Sequence, residues 1–278
     1  MKTIRIFLLF TFLVWGCSEN RTAQMPNKPV VFAGIPPVAG IAKQIAGSYI
    51  EVKTLVGEGQ SPHSYEPTAK QLAQLEQATC FFVVGLPFEK HLVKKIAPLY
   101  PQLDIVQTQK GIKINPADPH LWMSPLNAIV LTKNIVREYI KIDPTHAADF
   151  KKNEEALIEQ LEKTDRIIRN QLAPFAGQRF YVFHPAFGYF AQTYHLHQVA
   201  IELNGKAPAP RQLAQLIEQA KKDRVHVIFV QKQFPARTAE AIATAIQGVV
   251  VPLNPLAEQL PENFKIMAEH LSRGLKNE

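Results

Sequence analysis

From Val30 onward the chain alternates short apolar runs with longer amphipathic stretches. Val30–Ile35, Val52–Val56, Phe81–Val84 and Leu103–Val106 have strand length and strand composition. Between them, Val38–Ala46, Thr68–Gln77 and Phe88–Ala97 carry apolar positions at helical spacing. A βαβ rhythm of this kind predicts a parallel sheet covered by helices. The rhythm returns at Arg179–Phe183, Gln198–Ile201, Val225–Val230 and Val249–Leu253, interleaved with helices at Pro210–Lys222, Ala236–Gln247 and Pro261–Leu275. The pattern predicts an α/β protein of two lobes, each built on a mainly parallel sheet.

The segment between the lobes reads differently. Asp143-Pro144 carries an N-cap followed by a first-turn proline. Apolar residues then recur with helical spacing at Phe150, Leu157, Leu161, Ile168 and Leu172. Some thirty residues of charged helix would span roughly 45 Å, enough for a stiff strut between lobes. The predicted organisation is a first lobe over 30–142, a linking helix over 143–174 and a second lobe over 175–278. A strut of this stiffness implies little lobe closure on ligand binding.

Ahead of Val30 the texture changes. Lys2 and Arg5 precede an apolar stretch, Ile6–Trp15, that is too short to span a bilayer and suits a secretory signal core. It ends in Leu13-Val14-Trp15-Gly16-Cys17, which resembles the lipobox of bacterial lipoproteins, with Trp15 an unusual occupant. The resemblance implies cleavage after Gly16 and lipid on Cys17. Residues 1–16 are then a signal peptide, and 17–29 a polar, aperiodic tether.

Composition and charge narrow the function classes. With 46% hydrophobic and 20% charged residues, the chain is neither disordered, collagen-like nor a multi-span membrane protein. Removal of Lys2 and Arg5 with the leader lowers the formal net charge from +7 to +5. The remaining basic residues are scattered, as in Lys151-Lys152 and Lys221-Lys222, without interleaved aromatics. That distribution predicts solvated faces and no nucleic-acid partner. Cys80, in the apolar run Ala78–Gly85, reads as a buried free thiol, so no disulfide is expected if Cys17 is lipidated.

The candidate chemistry lies among nine histidines. His63, in Gly59-Gln60-Ser61-Pro62-His63-Ser64-Tyr65-Glu66-Pro67, follows the strand ending at Val56. His184, in Val182-Phe183-His184-Pro185-Ala186-Phe187-Gly188-Tyr189-Phe190, follows the strand ending at Phe183. His120, in Ala117-Asp118-Pro119-His120-Leu121-Trp122-Met123-Ser124, follows a turn and precedes a helix. Ligand sites in parallel sheets lie beyond the carboxyl ends of strands, and flanking prolines stiffen these loops. Neutral imidazole is a common ligand for borderline divalent metals, and three need one further donor to complete a tetrahedron around zinc. His91, His146, His195, His197, His226 and His270 lack this context and read as structural or solvent-exposed.

Four motifs in order, Ser61-Pro62-His63-Ser64-Tyr65-Glu66-Pro67, Asp118-Pro119-His120-Leu121-Trp122, Phe183-His184-Pro185-Ala186-Phe187-Gly188-Tyr189-Phe190 and Ile228-Phe229-Val230-Gln231, resemble the zinc- and manganese-binding solute-binding lipoproteins of bacterial ABC importers. The resemblance covers about Val30 to Leu275. It implies two α/β lobes joined by a long rigid helix, with the metal in the cleft. It further implies His63, His120 and His184 as ligands and delivery of the ion to an ABC-type membrane permease. The implied protein is an exported, lipid-anchored or periplasmic monomer and not an enzyme.

One departure from the family pattern affects the metal. Where family members often place a ligand aspartate before a proline, this chain has Asn254 before Pro255. The Asn254 carbonyl, a water, Glu202 or Gln231 are the candidates for the fourth position. Loss of an anionic oxygen favours Zn2+ over Mn2+, which prefers oxygen-rich coordination. Because ligand histidines must be deprotonated, affinity is expected to fall below the free-imidazole pKa of ~6.5. Two other readings use the same features: a surface adhesin on the same anchored fold, and a zinc hydrolase with Glu66 or Glu202 as base. The hydrolase reading lacks any His-Glu-x-x-His or Gly-x-Ser-x-Gly motif.

Overall fold

A computed structural model describes residues 28–202, 206–234 and 237–276. The signal segment, Cys17 and most of the tether fall outside the described residues. Strands β1 (Val30–Ala33), β2 (Glu51–Thr54), β3 (Cys80–Val83) and β4 (Asp104–Gln107) form a parallel sheet in the order β2-β1-β3-β4. Strands β5 (Arg179–Val182), β6 (His197–Ala200), β7 (Val227–Val230) and β8 (Val249–Pro252) repeat that order as β6-β5-β7-β8, again all parallel. The expected two-lobed α/β architecture is therefore present. The inner strands Cys-Phe-Phe-Val of β3 and Val-Ile-Phe-Val of β7 are buried at every position, as strands covered on both faces require. Cys80 opens β3 as a buried free thiol.

Helices α1 (Pro36–Ala46), α2 (Ala69–Glu76) and α3 (Pro87–Ile96) cover the first sheet, followed by α4 (Pro125–Ile142). After the long α5 (Ala147–Leu172) come α6 (Gly188–Thr193), α7 (Pro210–Lys222), α8 (Arg237–Ala245) and α9 (Leu260–Lys276). Local sequence explains several boundaries. Thr68 caps α2 reciprocally, its hydroxyl accepting the Gln71 N–H while Gln71 Oε1 accepts the Thr68 N–H. Helices α1, α3, α4 and α7 all begin at a proline, whose missing N–H costs nothing in a first turn.

The strut is present as a continuous helical run over Pro144–Phe175, an α-helix with a 3-10 turn at each end. Helix α5 has 26 residues and buries Phe150, Leu157, Leu161, Ile168 and Leu172, the face that periodicity picks out. Pro144–His146 forms a separate 3-10 turn ahead of it. Asp143 does not cap the helix; its Oδ2 meets His146 Nδ1 at 2.5 Å, and the His146 ring stacks on Tyr49. Helix α5 packs against α4 of the first lobe and α9 of the second, and one apolar core runs from Val31 through both lobes to Leu271. Hydrogen bonds also cross between the lobes. Trp122 Nε1–H donates to the Pro255 carbonyl at 2.7 Å, and Tyr189 Oη accepts the Asn115 N–H at 2.8 Å.

Candidate metal centre

All three candidate ligands sit on loops leaving the carboxyl ends of strands: His63 after β2, His120 after β4 and His184 after β5. In each sheet the winding direction reverses between the two inner strands, which opens a crevice at that end. The two crevices face each other. Leu86, after β3, and Gln233 and Phe234, after β7, line the same small space as the histidines.

The three imidazoles converge through Nε2. His63 Nε2 lies 2.9 Å from His184 Nε2, which lies 3.2 Å from His120 Nε2, and the ligand atoms of all three fall within 4.8 Å of one another. Two nitrogens bound 2.0–2.1 Å from a tetrahedral zinc stand about 3.3 Å apart. The cavity between them measures about 20 Å³, which fits one ion or water and no organic substrate. Its other walls are largely apolar: Pro62, Leu86, Trp122, Ala186 and Pro255.

Carboxylates fix which nitrogen of two rings is free. Asp118 Oδ1 lies 2.8 Å from His120 Nδ1 and also accepts the His120 backbone N–H at 3.0 Å. Glu202 Oε1 lies 2.6 Å from His184 Nδ1. The network thus assigns the proton to Nδ1 in both rings and leaves both Nε2 atoms with bare lone pairs. The 3.2 Å contact between them joins two acceptors, an arrangement that a cation relieves. His184 is clamped further: its N–H donates to Gln231 Oε1, its carbonyl accepts from Gln231 Nε2, and its ring stacks on Phe234 at 4.7 Å. Gly188 belongs to the same assembly, because any side chain there would collide with Asp118 Oδ2.

Burial, followed by the neighbouring imidazoles, pushes His63 down to about 4 and His184 down to about 3 from 6.5. Both rings are therefore neutral, and able to bind metal, at neutral pH. A group held neutral in the fold while its unfolded counterpart takes up a proton costs stability on acidification. These two rings should make the metal-free protein less stable as pH falls from about 6.5 toward 4. Urea titrations should register the loss, and His184→Gln should remove part of the slope; an unchanged slope would contradict the assignment. Proton competition for zinc likewise moves to more acidic pH than free imidazole implies.

The structure does not bring Asn254 to this cluster. Its Oδ1 accepts the Leu256 N–H and its carbonyl accepts from Asn263 Nδ2. The residue lines a neighbouring cavity instead. An asparagine side chain closing a turn two residues ahead is a local solution that competes with any longer reach. Glu66 is exposed and does not line the site. Among the described residues none of the six other histidines joins the cluster. Asp118 and Phe234 are contributors that sequence reasoning does not assign. The two-residue spacing in Asp118-Pro119-His120 is the only signal for the former.

Residues 31–277 match the family described as ZnuA, zinc-uptake complex component A, periplasmic. The chain belongs to this family. It is 29% identical over 302 residues to the zinc-binding lipoprotein AdcA of Streptococcus pneumoniae, covering all of this chain and 60% of that protein. The chain thus spans about three-fifths of the length of that relative. It is 26% identical to the iron ABC transporter substrate-binding lipoprotein MtsA of Streptococcus pyogenes, over 87% of this chain and 85% of that one. A crystal structure of ZnuA superimposes with a TM-score of 0.86 at 31% identity, over 90% of this chain and all of the other. Family members of this kind are substrate-binding components of transporters rather than enzymes.

Proposed function

We propose that the chain captures a divalent metal ion outside the cytoplasm, zinc in preference to manganese, and delivers it to an ABC-type membrane permease. His63, His120 and His184 would hold the ion as cargo through their Nε2 atoms, and water would complete the shell, since Asn254 is engaged in its own turn. The observation that carries this reading is the convergence of three imidazoles on a space of one ion. Imidazole donors suit zinc, whereas manganese gains most from anionic oxygen, and among the described residues no carboxylate lines the cavity. The lipobox-like segment and the lipoprotein relatives support a lipid anchor at Cys17. A three-histidine cleft completed within one chain supports action as a monomer, with lobes over 30–142 and 175–278.

Protein purified without added metal should carry zinc in a 1:1 ratio by elemental analysis. In equilibrium competition, zinc should be retained against a hundredfold excess of manganese. Displacement of zinc by equimolar manganese would overturn the choice of metal, and binding of neither ion would overturn the function.

A further inference from the structure

Asp118 and Glu202 are both buried, at 8% and 5% exposure, and each directs an oxygen at the Nδ1 of a candidate ligand. Among the described residues, neither is within 4 Å of a lysine or arginine nitrogen; His120 and His184 are their only recorded ion-pair partners. Those rings are neutral donors when their Nδ1 protons point at the carboxylates. The fold therefore encloses two carboxylates, one from each lobe, without a permanent countercharge. Burying a carboxylate is costly unless a cation compensates it. The space toward which both ligand rings point is the metal cavity.

We infer that Asp118 and Glu202 are the anionic half of the metal site, supplying through the imidazoles the two negative charges that its ligand set lacks. This rests on the three-histidine reading above. A dication among three neutral nitrogens leaves a buried charge of +2; the two carboxylates behind the rings cancel it. The same pull on each Nδ1 proton strengthens the Nε2 lone pair as a donor. That arrangement rewards a nitrogen-preferring ion more than manganese, for which a direct anionic oxygen matters most. Asp118 and Glu202 are thus positioning and specificity-determining residues. They take over, at one remove, the charge that an aspartate at position 254 would bring.

The test separates charge from hydrogen bonding. In Glu202→Gln and Asp118→Asn an amide oxygen can still accept the Nδ1 proton, so ring orientation is kept and charge is lost. Each variant should weaken zinc roughly 10–100-fold, the double variant should approach the product, and the zinc-to-manganese affinity ratio should narrow. The thermal midpoint of the metal-free protein should hold or rise, because a buried charge has gone. If both amide variants bind zinc like the parent while Glu202→Ala and Asp118→Ala do not, the carboxylates serve only as acceptors and the inference fails. Failure of the ligand reading is distinguishable, since zinc affinity would then survive His184→Ala.

Discussion

Replacing His184 by alanine should reduce zinc affinity on the order of a thousandfold or more, beyond the ~10–100-fold that loss of a residue behind a ligand costs. His184 is the second lobe's contribution to the triad, and its Nε2 is the atom that approaches both others, at 2.9 and 3.2 Å. Removing it leaves two ligands on one lobe and nothing to bring the opposite wall to the ion. The ring is also held by Glu202 and Phe234, and its backbone by Gln231. Alanine therefore leaves a rigid hole that no neighbour fills. Competition with a chromophoric chelator measures the loss, and His184→Gln, which retains a polar group near Glu202, guards against a folding defect. His63→Ala should cost less, because His63 is the exposed member of the three and water can take its place.

Much of this site was legible before any coordinates. The apolar runs that become β3 and β7 are unbroken because both faces of those strands are covered, and that uniformity is visible in sequence. The three histidines announce themselves through prolines and position at strand ends. What could not be read depends on distance in space. Glu202 lies eighteen residues beyond His184 and meets it only because β5 and β6 are paired neighbours. Asn254 stands in a ligand-like place along the chain, yet a nearby N–H captures its side chain. Helix α6 has six residues, too few for periodicity to register. The length of the strut is legible too, a continuous helical run over Pro144–Phe175, but not that its two ends are 3-10 turns, because an N-cap followed by proline suits either helix type.

The geometry of the lobes bears on how the proposed cargo would be held and surrendered. Helix α5 is clasped between α4 and α9, and the core is continuous across the lobe boundary. Trp122, adjacent to the ligand loop of His120, donates across the cleft to Pro255. Opening the cleft would break that hydrogen bond and unpack apolar surface together. On the proposed function, release would have its easiest route through His63, the candidate ligand on the more exposed β2 loop, rather than through a hinge at the strut.

Loss of Glu89 should be the most damaging single change to stability outside the triad. This fully buried carboxylate closes the turn between β3 and α3, where its Oε2 accepts the N–H groups of Val84, Gly85 and Leu86 at 2.8–2.9 Å. Its other oxygen abuts Gly34, where a side chain would collide with it. Leu86 in turn lines the metal cavity, so the turn is also part of the site's wall. Glu89→Ala orphans three backbone donors, two of them buried, and opens a void, at a cost of about 3–5 kcal/mol, or about 10 °C in thermal midpoint. Glu89→Gln keeps an acceptor for those donors and should cost far less. Burial raises the Glu89 pKa from 4.5 to about 7 against the pull of those backbone donors. The folded chain then holds a proton that the unfolded chain releases, so this residue's contribution is full below about 4.5 and is lost as pH rises to 7. His63 and His184 act in the opposite sense over part of that range. The difference between the parent and Glu89→Gln isolates the carboxyl, and it should shift in favour of the variant as pH rises. A difference that is flat from pH 4.5 to 7 would mean that Glu89 is ionised throughout, held by its three donors as a permanent anion.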